Sequence, residues 1–247
     1  MGIPVIPDVE APRPAPNAAP EAAPAPPTAD QILSKYLDAV GGADALMKIT
    51  TRIEKGNILT GGNQVPTEIY AKAPNMRLSV THNNTDSFTA FDGTAGWMTQ
   101  RQGPAPMSAA ESSNYMIDAD FALPLDLQQK KLYKTFRPGR PEKIGDKEYY
   151  VLQARQTGLP VLKLYFDEQT GLLARLVRMT DVGLGLMPVQ IDYSDYRDAD
   201  GIKIPFRWTL ARVNGRFTTQ IDSVQQNVPI NDSKFAKPPA PAAAPGQ

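Results

Sequence analysis

The chain has 247 residues, and its 26 Lys and Arg balance 26 Asp and Glu, so charge gives no reason to expect nucleic acid or an anionic membrane surface. It contains no cysteine, which excludes disulfides, thiolate catalysis, iron–sulfur clusters and CxxCH haem attachment. No apolar run is long enough to span a bilayer as a helix.

Residues 1–27 hold 9 of the 24 prolines, interleaved with Ala and Asn. Such a segment has little to bury and reads as an extended linker. Met1-Gly2-Ile3-Pro4 lacks the charged and apolar regions of a signal peptide, so the start looks like that of a processed chain or an excised piece of a longer one. Residues 238–247 repeat the composition, which leaves one domain over 28–237.

The domain opens with Thr28-Ala29-Asp30-Gln31, a capping box, followed by Ile32, Leu33, Tyr36, Leu37 and Val40 on one helical face. Gly41-Gly42 stops that helix, and Ala43–Ile49 adds a short second one. Strands are expected at 51–60, 65–72, 76–82, 87–91 and 97–101, with Gly61-Gly62-Asn63 and Asp92-Gly93 as turns. Ser108–Glu111 is a second capping box, opening a helix to about Asp120. Leu123-Pro124 interrupts it, and 125–133 can form another. Strands resume at 147–155, 161–167, 172–179, 189–193, 202–212 and 216–224. The plan is α+β: about ten or eleven antiparallel strands joined as a meander, with two helical pieces.

The sequence offers no catalytic constellation. His82 is the sole histidine and reads as a half-buried residue flanking a turn. Asp192, Asp195, Asp198 and Asp200 invite a calcium loop. Counting back from Gly201, however, places Tyr196 at the first ligand and Arg207 at the closing one, so the pattern fails. Those aspartates are expected at a strand end and a turn. No phosphate loop, nucleophile elbow or HExxH occurs, and no cofactor, metal or enzymatic activity is expected.

What remains is an apolar face. In 202–210, Ile202, Ile204, Phe206, Trp208 and Leu210 alternate with polar residues, which places them on one side of a sheet. Leu78, Val80, Phe88, Trp97, Leu164, Phe166, Phe206 and Trp208 are the candidate lining of a concave surface. Either that surface is a packed core or it encloses a ligand cavity that the helices only partly fill.

The segments TADQILSKYLDAVGGADALMKITTRIEKGNI, APNMRLSV, FDGTAGWM, YFDEQTGLLARL and IDYSDYRDADGIKIPFRWTL resemble the LolA/LolB-like superfamily of outer-membrane lipoprotein-sorting carriers. They are most similar to the LolA-like domains that follow a c-type cytochrome region in acidobacterial photosynthetic reaction centre cytochrome c subunits. The resemblance implies a curved antiparallel half-barrel with helices over its concave face, holding an acyl chain or lipoprotein in a periplasmic or cell-envelope setting. It also implies a cytochrome domain N-terminal to this one in a parent chain. Two functions stay open: a module binding an apolar ligand, or a structural and interaction domain appended to a cytochrome.

Overall fold

The computed structural model describes residues 25–181, 185–213 and 215–237. The expected terminal tails fall almost entirely outside them. Helix α1 (Ala29–Ala39) begins at the foreseen box, with Thr28 Oγ1 accepting from the Gln31 amide and Gln31 Oε1 accepting from the Thr28 amide. Its C-terminus docks on the sheet, where the Lys203 amide donates to the Val40 carbonyl at 2.8 Å. Gly41 sits at φ +120°, and a Cβ there would lie 2.5 Å from the Gly201 carbonyl, so both conformation and contact demand glycine. Helix α2 is Ala43–Met47.

Six strands follow: β1 (Thr51–Thr60), β2 (Asn63–Lys72), β3 (Met76–Thr81), β4 (Ser87–Phe91), β5 (Gly96–Gln100) and β6 (Gly103–Pro106). Then come α3 (Ala109–Ala119), α4 (Leu123–Gln128), β7 (Thr135–Pro138), β8 (Glu142–Ile144) and β9 (Lys147–Arg155). The chain closes with β10 (Leu162–Asp167), β11 (Leu173–Asp181), β12 (Leu186–Ala199), β13 (Ile202–Arg212), β14 (Gly215–Gln226) and a 3₁₀ turn at Asp232–Lys234. Among the described residues one antiparallel sheet of 14 strands runs β6-β5-β4-β3-β2-β1-β14-β13-β12-β11-β10-β9-β7, with β8 also paired to β9. A long twisted sheet of this kind curls.

Three strands exceed the sequence expectation, and all three lie at sheet edges. β6 carries Pro104 and Pro106, which an edge strand tolerates because its outer donors are not needed. β7 and β8 share one edge of β9, broken between them by Gly139-Arg140-Pro141. Pro124 does not break a helix but lies in the first turn of α4, where its missing donor costs nothing. The expected helix 125–133 instead ends at Gln128. Tyr133 beyond it is fully buried and donates to the Pro160 carbonyl at 2.8 Å.

The main core lies between the concave face and the helices. Leu33, Tyr36 and Leu37 of α1, with Leu125 and Leu127 of α4, pack on Leu152, Leu162, Leu164, Phe166 and Leu176. Helix α3 does something different. It touches β11 by way of Arg178, and β3 and β4 by way of Tyr115. Six strands separate β4 from β11 in the sheet order, yet an eleven-residue helix is only about 16 Å long. The sheet therefore bends back on itself, and α3 straps across its mouth.

Candidate functional site

Beneath α3 lies a cavity of about 320 Å³. One wall is apolar, built from Ile58, Ile191, Ile204, Trp208 and Leu210. Tyr193, Trp208, Thr219 and Ile58 pair directly across β12, β13, β14 and β1 and form a single row. The other wall is charged, with Arg52, Glu54, Arg77, Arg178 and Asp118 beside Ser79, Tyr115 and Tyr193.

Strand parity explains that charged wall. On β1, Arg52 and Glu54 face inward while Ile53 faces the convex side, and on β3 Arg77, Ser79 and Thr81 face inward. Arg52, Ala71 and Arg77 are direct partners across β1, β2 and β3, which sets the two arginine backbones about 9–10 Å apart with only a methyl group between. The Arg52 guanidinium stacks 5.0 Å from the Phe121 ring centre and lies 3.6 Å from Glu54. Burial pushes its pKa down, Glu54 raises it, and the like charge of Arg77 lowers it again. Arg178 is held bidentately by Asp118 at 2.7 and 2.8 Å and donates to the Asn114 carbonyl at 3.0 Å, tying α3 to β11. On the opposite side the Tyr115 hydroxyl donates to the Thr89 carbonyl at 3.2 Å and lies 3.3 Å from Ser79 Oγ.

The phenols of Tyr115 and Tyr193 are pushed up chiefly by burial, so both stay neutral and able to donate. At the C-terminal end of α3, Asp120 is raised to about 7, first by burial and then by Asp126, against the hydrogen bond from the Ala122 amide. Its Oδ1 accepts from that amide at 3.1 Å, while Oδ2 is buried without a partner.

The expected lining residues divide three ways. Trp208 lines the cavity. Leu164, Phe166 and Phe206 are on the concave face but belong to the core: Phe166 meets Tyr36 of α1 at 5.2 Å between ring centres. Leu78, Val80 and Phe88 lie on the convex face, packed with Ala90 under Ile230 and Phe235 of the C-terminal segment. Trp97 pairs with Ala90, so its register places it on that side too. The apolar row of a strand usually faces a core, which is why the sequence points the row of β3 inward. Here the convex side has its own cover, and the polar row turns inward.

His82 flanks a turn, its Nδ1 3.1 Å from Asp86. The four aspartates are dispersed, and two of them lie well inside β12 rather than at its end. Asp192 pairs with Arg175 and Asp195 with Arg197, while Asp198 accepts from the Gly201 amide at the turn that includes Asp200. Asp195 adopts φ +53° within β12, and the neighbouring Tyr196 hydroxyl donates to the Leu173 carbonyl at 2.8 Å.

No family model and no curated relative matches the chain. Solved structures do. A putative outer membrane lipoprotein-sorting protein domain from Vibrio parahaemolyticus superposes with a TM-score of 0.52 at 10% identity, over 76% of this chain and 90% of that one. A LolA superfamily protein from Nitrosomonas europaea gives 0.54 at 14% identity, over 86% and 99%. The chain has the LolA-like fold. A DUF1329 family protein from Desulfovibrio piger shares it as well, at a TM-score of 0.55 and 16% identity over 83% and 95%. The expectation of a curved antiparallel half-barrel with helices over its concave face therefore holds, with 14 strands in place of ten or eleven. None of the described helices is long and apolar enough to cross a membrane.

Proposed function

We propose that this protein is a non-enzymatic binding module of the periplasm or cell envelope that holds an acyl chain or similar apolar ligand inside its half-barrel. The observation that carries the reading is the cavity of about 320 Å³ under α3, walled by Ile58, Ile191, Ile204, Trp208 and Leu210. A packed core leaves few voids larger than a water molecule, whereas ligand pockets begin at roughly 300 Å³. The relative from Vibrio parahaemolyticus, described as a lipoprotein-sorting domain, supports the same class of cargo.

The test uses Trp208 as a reporter in a Trp97→Phe background, because only Trp208 faces the cavity. An environment-sensitive acyl probe should bind and change its emission. Ile58→Phe should weaken that binding several-fold while leaving the unfolding midpoint unchanged, since the added volume enters open space. A loss of roughly 1–3 kcal/mol from overpacking, with no probe bound by either protein, would mean a filled structural domain.

A further inference from the structure

The charges of the cavity do not balance, and we infer from them the head group of its ligand. Its lining carries three guanidiniums and two carboxylates. Asp118 is committed to Arg178 by two hydrogen bonds, and Glu54 lies 3.6 Å from Arg52. Among the described residues no carboxylate comes within salt-bridge distance of Arg77. Arginine cannot shed its proton to relieve this. Arg77 lies beside the Tyr115 phenol, a neutral neighbour, and lines the cavity. Two further donors of the charged wall lack an acceptor: the Nε atoms of Arg52 and Arg178 are buried without partners, while Asn114 Oδ1 on α3 is a buried acceptor without a donor. Burial opposes the Arg77 charge while Tyr115, Glu54 and Asp118 favour it, and an anion entering the cavity would supply the ion-pair partner that neither carboxylate is.

We propose that the ligand is a single-chain monoanion, a fatty-acid-like carboxylate. Its head pairs with Arg77 between Arg52 and Tyr193, and its chain lies against Ile58, Ile191, Trp208 and Leu210. This rests on the acyl-site reading above and adds the head group to it. One net positive charge calls for one negative charge. The volume, at the small end of ligand pockets, suits one chain and not a multi-chain lipid. The planar guanidinium matches a carboxylate in two parallel hydrogen bonds.

Titration calorimetry of the full chain with dodecanoate, dodecanol and dodecyl phosphate, equal in chain length, separates head from tail. Dodecanoate should bind about tenfold or more tighter than dodecanol, the worth of a charge-assisted hydrogen bond. In Arg77→Met the acid should fall to the level of the alcohol, with alcohol affinity unchanged, and Arg77→Lys should retain part of the preference. Equal binding of acid and alcohol to the wild-type protein would overturn the head-group assignment and leave the acyl site standing. Tighter binding of dodecyl phosphate than of dodecanoate would overturn the carboxylate in favour of a phosphate head. Binding of none of the three would overturn the acyl site itself. The wild-type comparison decides these outcomes even if Arg77→Met does not fold.

Discussion

Asp120→Asn isolates one unfavourable charge, and its effect should depend on pH. Asp120 Oδ2 is buried without a partner and its carboxyl is raised from 3.8 to about 7, first by burial and then by Asp126. A carboxyl held above its unfolded value binds an extra proton in the folded state between the two pKa values, so stability falls as pH rises from about 4 to about 7. Below that window both states are protonated and nothing is lost. Above it the whole penalty is present. The rise from 3.8 to about 7 corresponds to a penalty of about 4 kcal/mol. The asparagine oxygen can still accept from the Ala122 amide, but its new NH₂ group inherits a site without a partner, which returns about 1–3 kcal/mol. The net expectation is a variant less stable than wild type at pH 4 and equal or more stable at pH 8.5. Urea midpoints of both proteins across that range measure it. Other carboxylates, among them Asp167 and Glu142, are lowered by their partners and contribute the opposite slope, but they cancel in the difference between the two proteins. A difference that stays flat with pH would refute the assignment of the raised group to Asp120.

Asp118→Ala should cost about 3–5 kcal/mol, because it strands the buried Arg178 guanidinium, whereas Asp118→Leu with Arg178→Met should recover most of that loss in chemical denaturation. Leu33→Ala, at a position with no exposed surface where α1 meets the sheet, should lower stability by about 2–5 kcal/mol; a loss under 1 kcal/mol would mean that α1 moves freely over its contacts. Gly56→Ala should cost roughly 1–3 kcal/mol, since its Cβ would meet the Gln220 carbonyl at the β1–β14 bulge, and the amide exchange of that pair should rise with it.

Local rules carried most of the architecture. Both capping boxes formed with reciprocal hydrogen bonds, because Thr28 with Gln31 and Ser108 with Glu111 satisfy donors within one turn and need nothing from afar. Period-two alternation placed Ile202, Ile204, Phe206, Trp208 and Leu210 on one face of β13, since pleat geometry is a property of the strand alone. The short strands β6, β7 and β8 escaped because their pairing is supplied by a neighbouring strand and their own sequences carry prolines or span only three or four residues. Which row of a strand faces inward was a different matter. Alternation separates two rows without saying what covers each. For Leu78, Val80 and Phe88 the cover is Ile230 and Phe235, about 140 to 160 residues away in the chain. Turning that row outward brought Arg77 inward, beside Arg52 two strands away and beneath an α3 anchored to Arg178. The sequence determined eleven of the strands, the caps and the fold they resemble; the three edge strands, the cavity and its excess positive charge were decided only when the curled sheet brought β3, β11 and α3 together.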